Sequence, residues 1–357
     1  MIKFVKRAKD LSPKTKKHNL MEYYLKDLFE IRHPQHYKKE APKEYQIFKK
    51  DYLKKNSGIW VYYPWLESAY KIPKEGDYFE IITARNKPYI SEEEQNNFYN
   101  FNVGIVGLSV GQSSALTIIR GGGAKNIRIA DRDTIDPSNL NRLNSTITSI
   151  GKKKTEEVAQ KMYEINPFLN IEIFDDGLTK ENAKDFFSKN FELNVIVDAC
   201  DFFPAKIIIR KLAAKMKIPV IMTTDVGDGS LVDIERYDIE KKTKPFGGRL
   251  EKINDPNDFL KTALTIISPE HIPLTLQDRF LEIGKTTPTH PQLANSVYFG
   301  GTLVSYIIRS LANNKEIVDE RIYINYDEIF DPKYKDENFQ KLKQEKIQAF
   351  KKMLGLE

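Results

Sequence analysis

The sequence predicts an α/β fold: a Rossmann-like, mainly parallel sheet with helices on both faces, preceded by an N-terminal extension. Three observations carry this. Apolar runs alternate with helical stretches from Asn102 onward; the first run, NVGIVGL, ends in glycine and passes directly into a helix of small residues; and the run LNVIVDA is apolar without polar alternation, as a strand covered on both faces must be.

Taken in order, residues Met1 to about Lys55 are rich in Lys, Tyr and Glu with weak helical periodicity and are read as helices wrapping the main domain. Ile59 to Tyr63 (IWVYY), followed by Pro64 and Trp65, is β-prone and expected to pack on the core. Ser91 to Tyr99 should be a helix, since Ser91 and Glu94 form the S/T-x-x-E pattern that caps a helix by reciprocal hydrogen bonds. Strands are then expected at Asn126 to Ala130, Asn170 to Phe174, Leu193 to Ala199 and Pro219 to Thr223. The helices between them fall at Thr155 to Ile165, Thr179 to Lys189 and Pro204 to Met216. LVDIERYDI reads as an antiparallel addition, residues 239–291 as a long irregular excursion, Leu293 to Leu311 as a helix and Arg321 to Tyr326 as a late strand. This divides the chain into an extension (1–90), a main domain (91–330) and a charged C-terminal helix (331–357).

Composition excludes several classes. A net charge of +6 arises from 56 basic and 50 acidic residues, so the surface is mixed and no cationic nucleic-acid face is expected. One cysteine excludes a disulfide framework and any zinc site built from paired CxxC motifs. No apolar run approaches the roughly 20 residues that span a bilayer, and the N-terminus lacks the apolar stretch of a signal peptide. A cytoplasmic protein without membrane or nucleic-acid partners is the expectation.

The chemistry concentrates after the first strand. Gly107 and Gly111 flank a turn that opens a helix, where free N–H groups favour a phosphate. With Ser109 in its middle the turn departs from G-x-G-x-x-G, which leaves a purely structural turn open. Asp131 ends the second strand, placed to accept hydrogen bonds from ribose hydroxyls. The following DRDTIDPSNLNRLN and GKKK bring Asn139, Arg142 and Lys154: an amide, a planar fork of donors and a point charge, suited to phosphate oxygens and a departing pyrophosphate. Asp201, at the end of DACD, puts a carboxylate at the sheet's ligand-binding edge, where Mg²⁺ is needed.

The glycine turn, IADRDTIDPSNLNR, GKKK before a helix ending in INP, and VIVDACD follow one another in an order that resembles the ThiF, MoeB and HesA adenylyltransferases, relatives of the adenylation domain of ubiquitin-activating enzymes. The resemblance covers roughly Asn102 to Tyr237. It implies ATP- and Mg²⁺-dependent activation of a carboxylate, with Asp131 at the ribose, Asn139, Arg142 and Lys154 at the phosphates, Asp201 at magnesium and Asp133 as a carboxylate behind them. It also implies a homodimer in which an arginine before the first strand, here Arg85, reaches the partner's ATP site. The implied substrate is the C-terminus of a small ubiquitin-like or sulfur-carrier protein, or a peptide.

Ser109 and Val110 stand where that family has two glycines, and the structural zinc of many members has no ligands here. Cys200 lies within DACD on a strand expected to be buried, so thioester transfer is not expected. Trp60, Tyr63, Trp65 and Arg85 suggest a subgroup with an added N-terminal region, and His290, ahead of the late helix, is read as a capping or packing residue, with a place lining the acceptor cleft as the alternative. Two rivals stay open. A nicotinamide oxidoreductase on a similar core has no use for the Asn139, Arg142 and Lys154 cluster; a non-catalytic scaffold would bind nucleotide without releasing pyrophosphate.

Overall fold

The computed structural model describes residues 1–239, 243–253, 259–279 and 282–355. The extension holds strands β1 (Lys3–Val5) and β2 (Lys16–Asn19), helices α1 (Met21–Arg32) and α2 (Pro42–Lys55), strands β3 (Ile59–Tyr63) and β4 (Ser68–Ile72), and helix α3 (Glu75–Thr83); helix α4 (Glu92–Tyr99) then leads into the central sheet. The stretch expected to be helical up to Lys55 therefore also holds two strands. These join β3 and β4 in a four-stranded sheet of order β1-β3-β4-β2, with β2 parallel to β4. Their pairing partners lie some 50 residues away, so nothing local in the sequence marks them. Tyr63 and Tyr78 donate hydroxyls to the carbonyls of Tyr163 and Ile165, at 3.2 and 2.8 Å, and so clamp the extension to the main domain. The Ser91 and Glu94 capping box forms as expected.

The main domain runs β5 (Val103–Val106), α5 (Val110–Arg120), β6 (Asn126–Ala130), α6 (Lys154–Ile165), β7 (Asn170–Phe174), α7 (Ala183–Ser188), β8 (Val195–Asp198) and α8 (Phe203–Met216). It continues with β9 (Val220–Val226), β10 (Gly229–Glu235), α9 (Phe259–Ile267), α10 (Leu274–Arg279), α11 (Ala294–Ala312), β11 (Arg321–Asn325), α12 (Tyr326–Phe330) and α13 (Glu337–Leu354). The seven-stranded sheet has the order β11-β10-β9-β8-β5-β6-β7. Strands β7 through β9 are mutually parallel; β10 and β11 add antiparallel, as LVDIERYDI predicted.

Alternation along each central strand explains the unbroken apolar runs. Val195 and Val197 face α5, α6 and α11, while Ile196 faces α7 and α8. Helix α11 lies so close to α5 that a Cβ at Gly301 would stand 2.4 Å from Ser113 Oγ, and Ser113 donates to the carbonyl of Val297 at 2.8 Å. Small residues there permit the approach. Residues 239–291, expected to be irregular, are in part helical: α9 and α10 pack with Met222, Leu231 and Phe350 in a third apolar cluster. Residues 240–242, 254–258 and 280–281 of that stretch, and 356–357 of the predicted C-terminal helix, lie outside the described residues.

Beneath the sheet's carboxyl edge sits a buried charge network. Asp198 is fully buried and accepts from Lys206 Nζ at 2.9 Å and Arg210 Nη1 at 2.6 Å; Arg210 Nε reaches Glu235 at 3.0 Å. Burial alone would raise the Asp198 carboxyl, but Lys206 and Arg210 overcome it and hold it at about 2. Its stabilisation is thus fully present above the ordinary carboxylate range and is lost as pH falls toward 2. Asp198→Asn should cost about 3–5 kcal/mol at neutral pH by leaving buried cations underpaired. Denaturant midpoints measured against pH should show the deficit shrinking between pH 4 and 2; a constant deficit would mean the carboxylate charge is not what stabilises.

Candidate active site

The connections change direction between β5 and β8, and ligands in open α/β sheets bind beyond the strand ends at such a point. A cavity of about 700 Å³ opens there. At its floor Gly107 adopts φ +87°, and a Cβ on it would lie 2.4 Å from the Ala199 carbonyl oxygen. The Gly107 N–H donates to Ala130 O at 2.8 Å and the Ala199 N–H to Val106 O at 2.9 Å, which seats the turn between its two neighbouring strands. Ser109 sits at the residue before α5 and lines the cavity, and its hydroxyl makes no capping bond and is buried with no partner. Where glycine was the expected residue, the chain thus presents a free donor at a helix N-terminus.

Asp131 holds this turn to the next loop. One carboxylate oxygen accepts the Leu108 N–H at 2.6 Å, the other the Asp133 N–H at 2.8 Å. Burial pushes its carboxyl up, against the pull of Lys154. The loop then pairs with the GKKK segment: Lys154 N–H donates to Asp133 O at 3.0 Å and Gly151 N–H to Ile135 O at 2.8 Å. This register selects among the lysines. Lys153 reaches outward to Arg132 O, whereas Lys154 lines the cavity, one-tenth exposed, with Nζ 2.9 Å from Asp133. Asn139 spends its carbonyl oxygen on the Asp136 N–H at 3.1 Å, which leaves its amide donors for the cavity it lines.

Arg142 is the unusual member. Its guanidinium donates to Ser138 O at 3.2 Å and Asn141 Oδ1 at 2.9 Å, Nε is buried without a partner, and it makes no ion pair among the described residues. Burial accordingly lowers its pKa, with Asp225 opposing. A half-buried cation lacking a carboxylate partner favours an anion from outside.

Asp201 lines the cavity just ahead of α8, while its neighbour Asp198 is buried in the network described above, so the two DACD carboxylates have different duties. Among the described residues no group of three His, Cys, Asp or Glu side chains could cage a metal. A lone carboxylate suits a Mg²⁺ that arrives on nucleotide phosphates and needs one protein ligand. Cys200 donates toward Asp198 at 3.3 Å; burial, then that carboxylate, push its thiol far up, away from the thiolate a nucleophile needs.

Sequence reasoning missed Asp225. It is buried at the end of β9, accepts from Gln292 Nε2 at 3.3 Å, and leaves its second oxygen without a partner; burial raises its carboxyl. Thr223 Oγ1 is likewise buried and unpartnered. The only signal was a carboxylate inside an apolar strand. His290 lines the cavity, which favours the alternative reading of it over capping or packing. Gly111 does not line it; it packs under Ile105 and Ala199. Nor do Trp60, Tyr63, Trp65 and Arg85, which belong to the extension and its link. Arg85 is exposed and donates to Tyr37 Oη at 3.3 Å.

Residues 83–341 match the ThiF family. An uncharacterized protein of Mycobacterium tuberculosis is 30% identical over 273 residues, 74% of this chain and 38% of that protein. The tRNA threonylcarbamoyladenosine dehydratase of Bacillus subtilis is 24% identical over 55% of this chain and 77% of its own length. A probable molybdopterin-synthase adenylyltransferase of Porphyra purpurea is 30% identical over 49% of this chain and 46% of its own. The chain therefore spans less than half of the first and third of these relatives. Among the described residues no helix is long and apolar enough to cross a membrane.

The thiol makes its own prediction. Cys200→Ala should retain nucleotide-dependent turnover, and native Cys200 should resist iodoacetamide at pH 8; rapid labelling with loss of activity would give it a covalent role.

Proposed function

The chain belongs to the ThiF family, and we propose that it catalyses ATP-dependent adenylation of a carboxylate. The observation that carries this reading is the half-buried Arg142 guanidinium, which makes no ion pair among the described residues and lines the same cavity as Lys154 and Ser109 at the α5 N-terminus. A triphosphate answers that set better than a nicotinamide dinucleotide does. The name of the Porphyra relative, an adenylyltransferase, supports the same reading.

In the proposed reaction an oxygen of the substrate carboxylate attacks the α-phosphorus of ATP. The new O–P bond forms as the bond to the bridging oxygen breaks, and pyrophosphate leaves with the electron pair. A carboxylate is already ionised near neutral pH, so no side-chain base is required. Catalysis reduces to alignment and charge neutralisation. Asp131 would orient the ribose; Asn139, Arg142 and Lys154 would hold phosphate oxygens; Gly107 and Ser109 would let backbone and hydroxyl approach them. Asp201 would hold Mg²⁺, which when bound neutralises phosphate charge. The substrate is proposed to be a chain end, the C-terminus of a small ubiquitin-like or sulfur-carrier protein or of a peptide.

ATP–pyrophosphate exchange tests this. Arg142→Ala and Lys154→Ala should each lower exchange about 10²–10³-fold while leaving the denaturation midpoint unchanged; undiminished exchange in either would remove that residue from the mechanism. Asp201→Asn should raise the Mg²⁺ concentration needed for half-maximal exchange, and an unaltered Mg²⁺ profile would leave it no metal role.

Arg85 is proposed to act across a homodimer, reaching the partner subunit's nucleotide. Mixing inactive Arg85→Ala and Arg142→Ala subunits should then restore exchange, because one site of each mixed dimer regains both arginines. A mixture as inactive as its components would dismiss the shared site.

A further inference from the structure

The cavity has two ends of opposite chemistry, and β9 divides them. Thr223 and Asp225 face the α11 side, where Asp225 meets Gln292 and a Cβ at Gly300 would lie 2.6 Å from Thr223 Oγ1. Met222 and Val226 face the other way, into the apolar cluster containing Leu264 of α9 and Ile272. On that side the cavity wall is formed mainly by Met222, Val226, Leu264, Ile267, Leu276 and Ile283, with the hydroxyls of Thr224 and Thr262 as its polar members, and Phe203 brings it to within two residues of Asp201. The nucleotide groups proposed above need the glycine turn, the Asp131 loop and the Arg142 segment. None of them needs this apolar wall.

We propose that the wall under α9 and α10 is an acyl pocket, and that the carboxylate adenylated here carries a bulky apolar group, aliphatic or aromatic, next to the carboxyl. The inference rests on the adenylation reading and alters its substrate: of the chain ends proposed above it keeps those with an apolar last residue, sets aside a Gly-Gly carrier, and adds free apolar acids. A chain ending in two glycines would lay several peptide N–H and C=O groups against a wall where Met222, Val226, Leu264, Ile267 and Leu276 outnumber the hydroxyls of Thr224 and Thr262, too few partners to replace the water those groups lose. An apolar group loses nothing there and gains burial. The polarity of the two ends also fixes direction: the carboxyl points toward Asp201 and the phosphate cations, and the apolar part lies away from them.

The experiment compares kcat/KM for substrate-dependent ATP–pyrophosphate exchange across four probes. These are medium-chain aliphatic free acids, phenyl-substituted free acids, peptides ending in leucine or phenylalanine, and peptides ending in Gly-Gly. Apolar acids or apolar-ended peptides should exceed Gly-Gly peptides by at least about tenfold, the discrimination that even small apolar groups command in such pockets. Which of the two apolar sources is preferred tells whether the substrate is a small molecule or a chain end. Ile267→Gln and Leu276→Gln, at partly buried positions on the wall, should each lower kcat/KM for the apolar probes about tenfold with ATP affinity by calorimetry unchanged. Exchange best with Gly-Gly peptides, or wall variants without effect on apolar probes, would overturn the acyl pocket and leave adenylation standing. ATP binding with no exchange for any carboxylate would overturn both.

Discussion

The site depends on one carboxylate whose work is structural. Asp131 receives the Leu108 N–H on one oxygen and the Asp133 N–H on the other. Those two amides belong to the glycine turn after β5 and to the loop that continues toward Asn139 and Arg142, so Asp131 sets the spacing between the wall that approaches phosphate and the wall that supplies cations. The loop in turn fixes the register of the GKKK segment, which brings Lys154 rather than Lys153 into the cavity. Both Asp131 oxygens retain lone pairs, so a ribose hydroxyl can still be accepted without undoing the scaffold. An asparagine in its place would keep the shape but offer a donor where one of these amides needs an acceptor.

The two aspartates of DACD show how neighbouring carboxylates acquire different duties from strand parity. Asp198 is the last residue of β8 and points to the α8 face, where Lys206 and Arg210, one and two turns along that helix, neutralise it. Asp201, three residues on, has left the strand and lines the cavity. The network through Arg210 to Glu235 continues to Phe246, whose N–H donates to that carboxylate at 2.9 Å and so holds the residue beside β10. The same ion cluster thus anchors both the floor of the cavity and the start of the segment that leads to α9. Buried pairs of this kind add little net stability relative to apolar packing, but they penalise every arrangement that leaves one member alone.

Most of the parallel core was legible because its information is local. Apolar runs bounded by Gly107, Asp131 and Asp198 give strands covered on both faces, and the capping box at Ser91 marks the approach to the first of them. The small strands β1 and β2 were illegible because their partners are distant, and α9 because its pattern sits among prolines and glycines that suggested a loop. At the site, the residues of DRDTIDPSNLNR and GKKK could be named since they follow one another in fixed order. Asp225 could not: its meaning comes from Gln292, brought to it by the return of the chain into α11, and from Arg142 in the loop after β6.

The cations in the cavity differ in how tightly the protein already holds them, and that difference bears on how a polyanion is received. Lys154 is paired with Asp133, but that carboxylate is 58% exposed, so water screens the pair and exchanging it for a phosphate costs little. Arg142 has the opposite arrangement: neutral oxygens hold its fork in place, and it makes no ion pair among the described residues. Asp225 lies near enough to raise the Arg142 pKa, yet its own burial favours the protonated form, which weakens the competition. A guanidinium oriented by neutral acceptors is pre-aligned for an incoming anion and need not break an ion pair first, whereas a strongly paired one would return most of the binding energy as a broken contact. The fold therefore spends its buried carboxylate on Lys206 and Arg210 beneath the floor, and leaves the cavity's own arginine to the ligand.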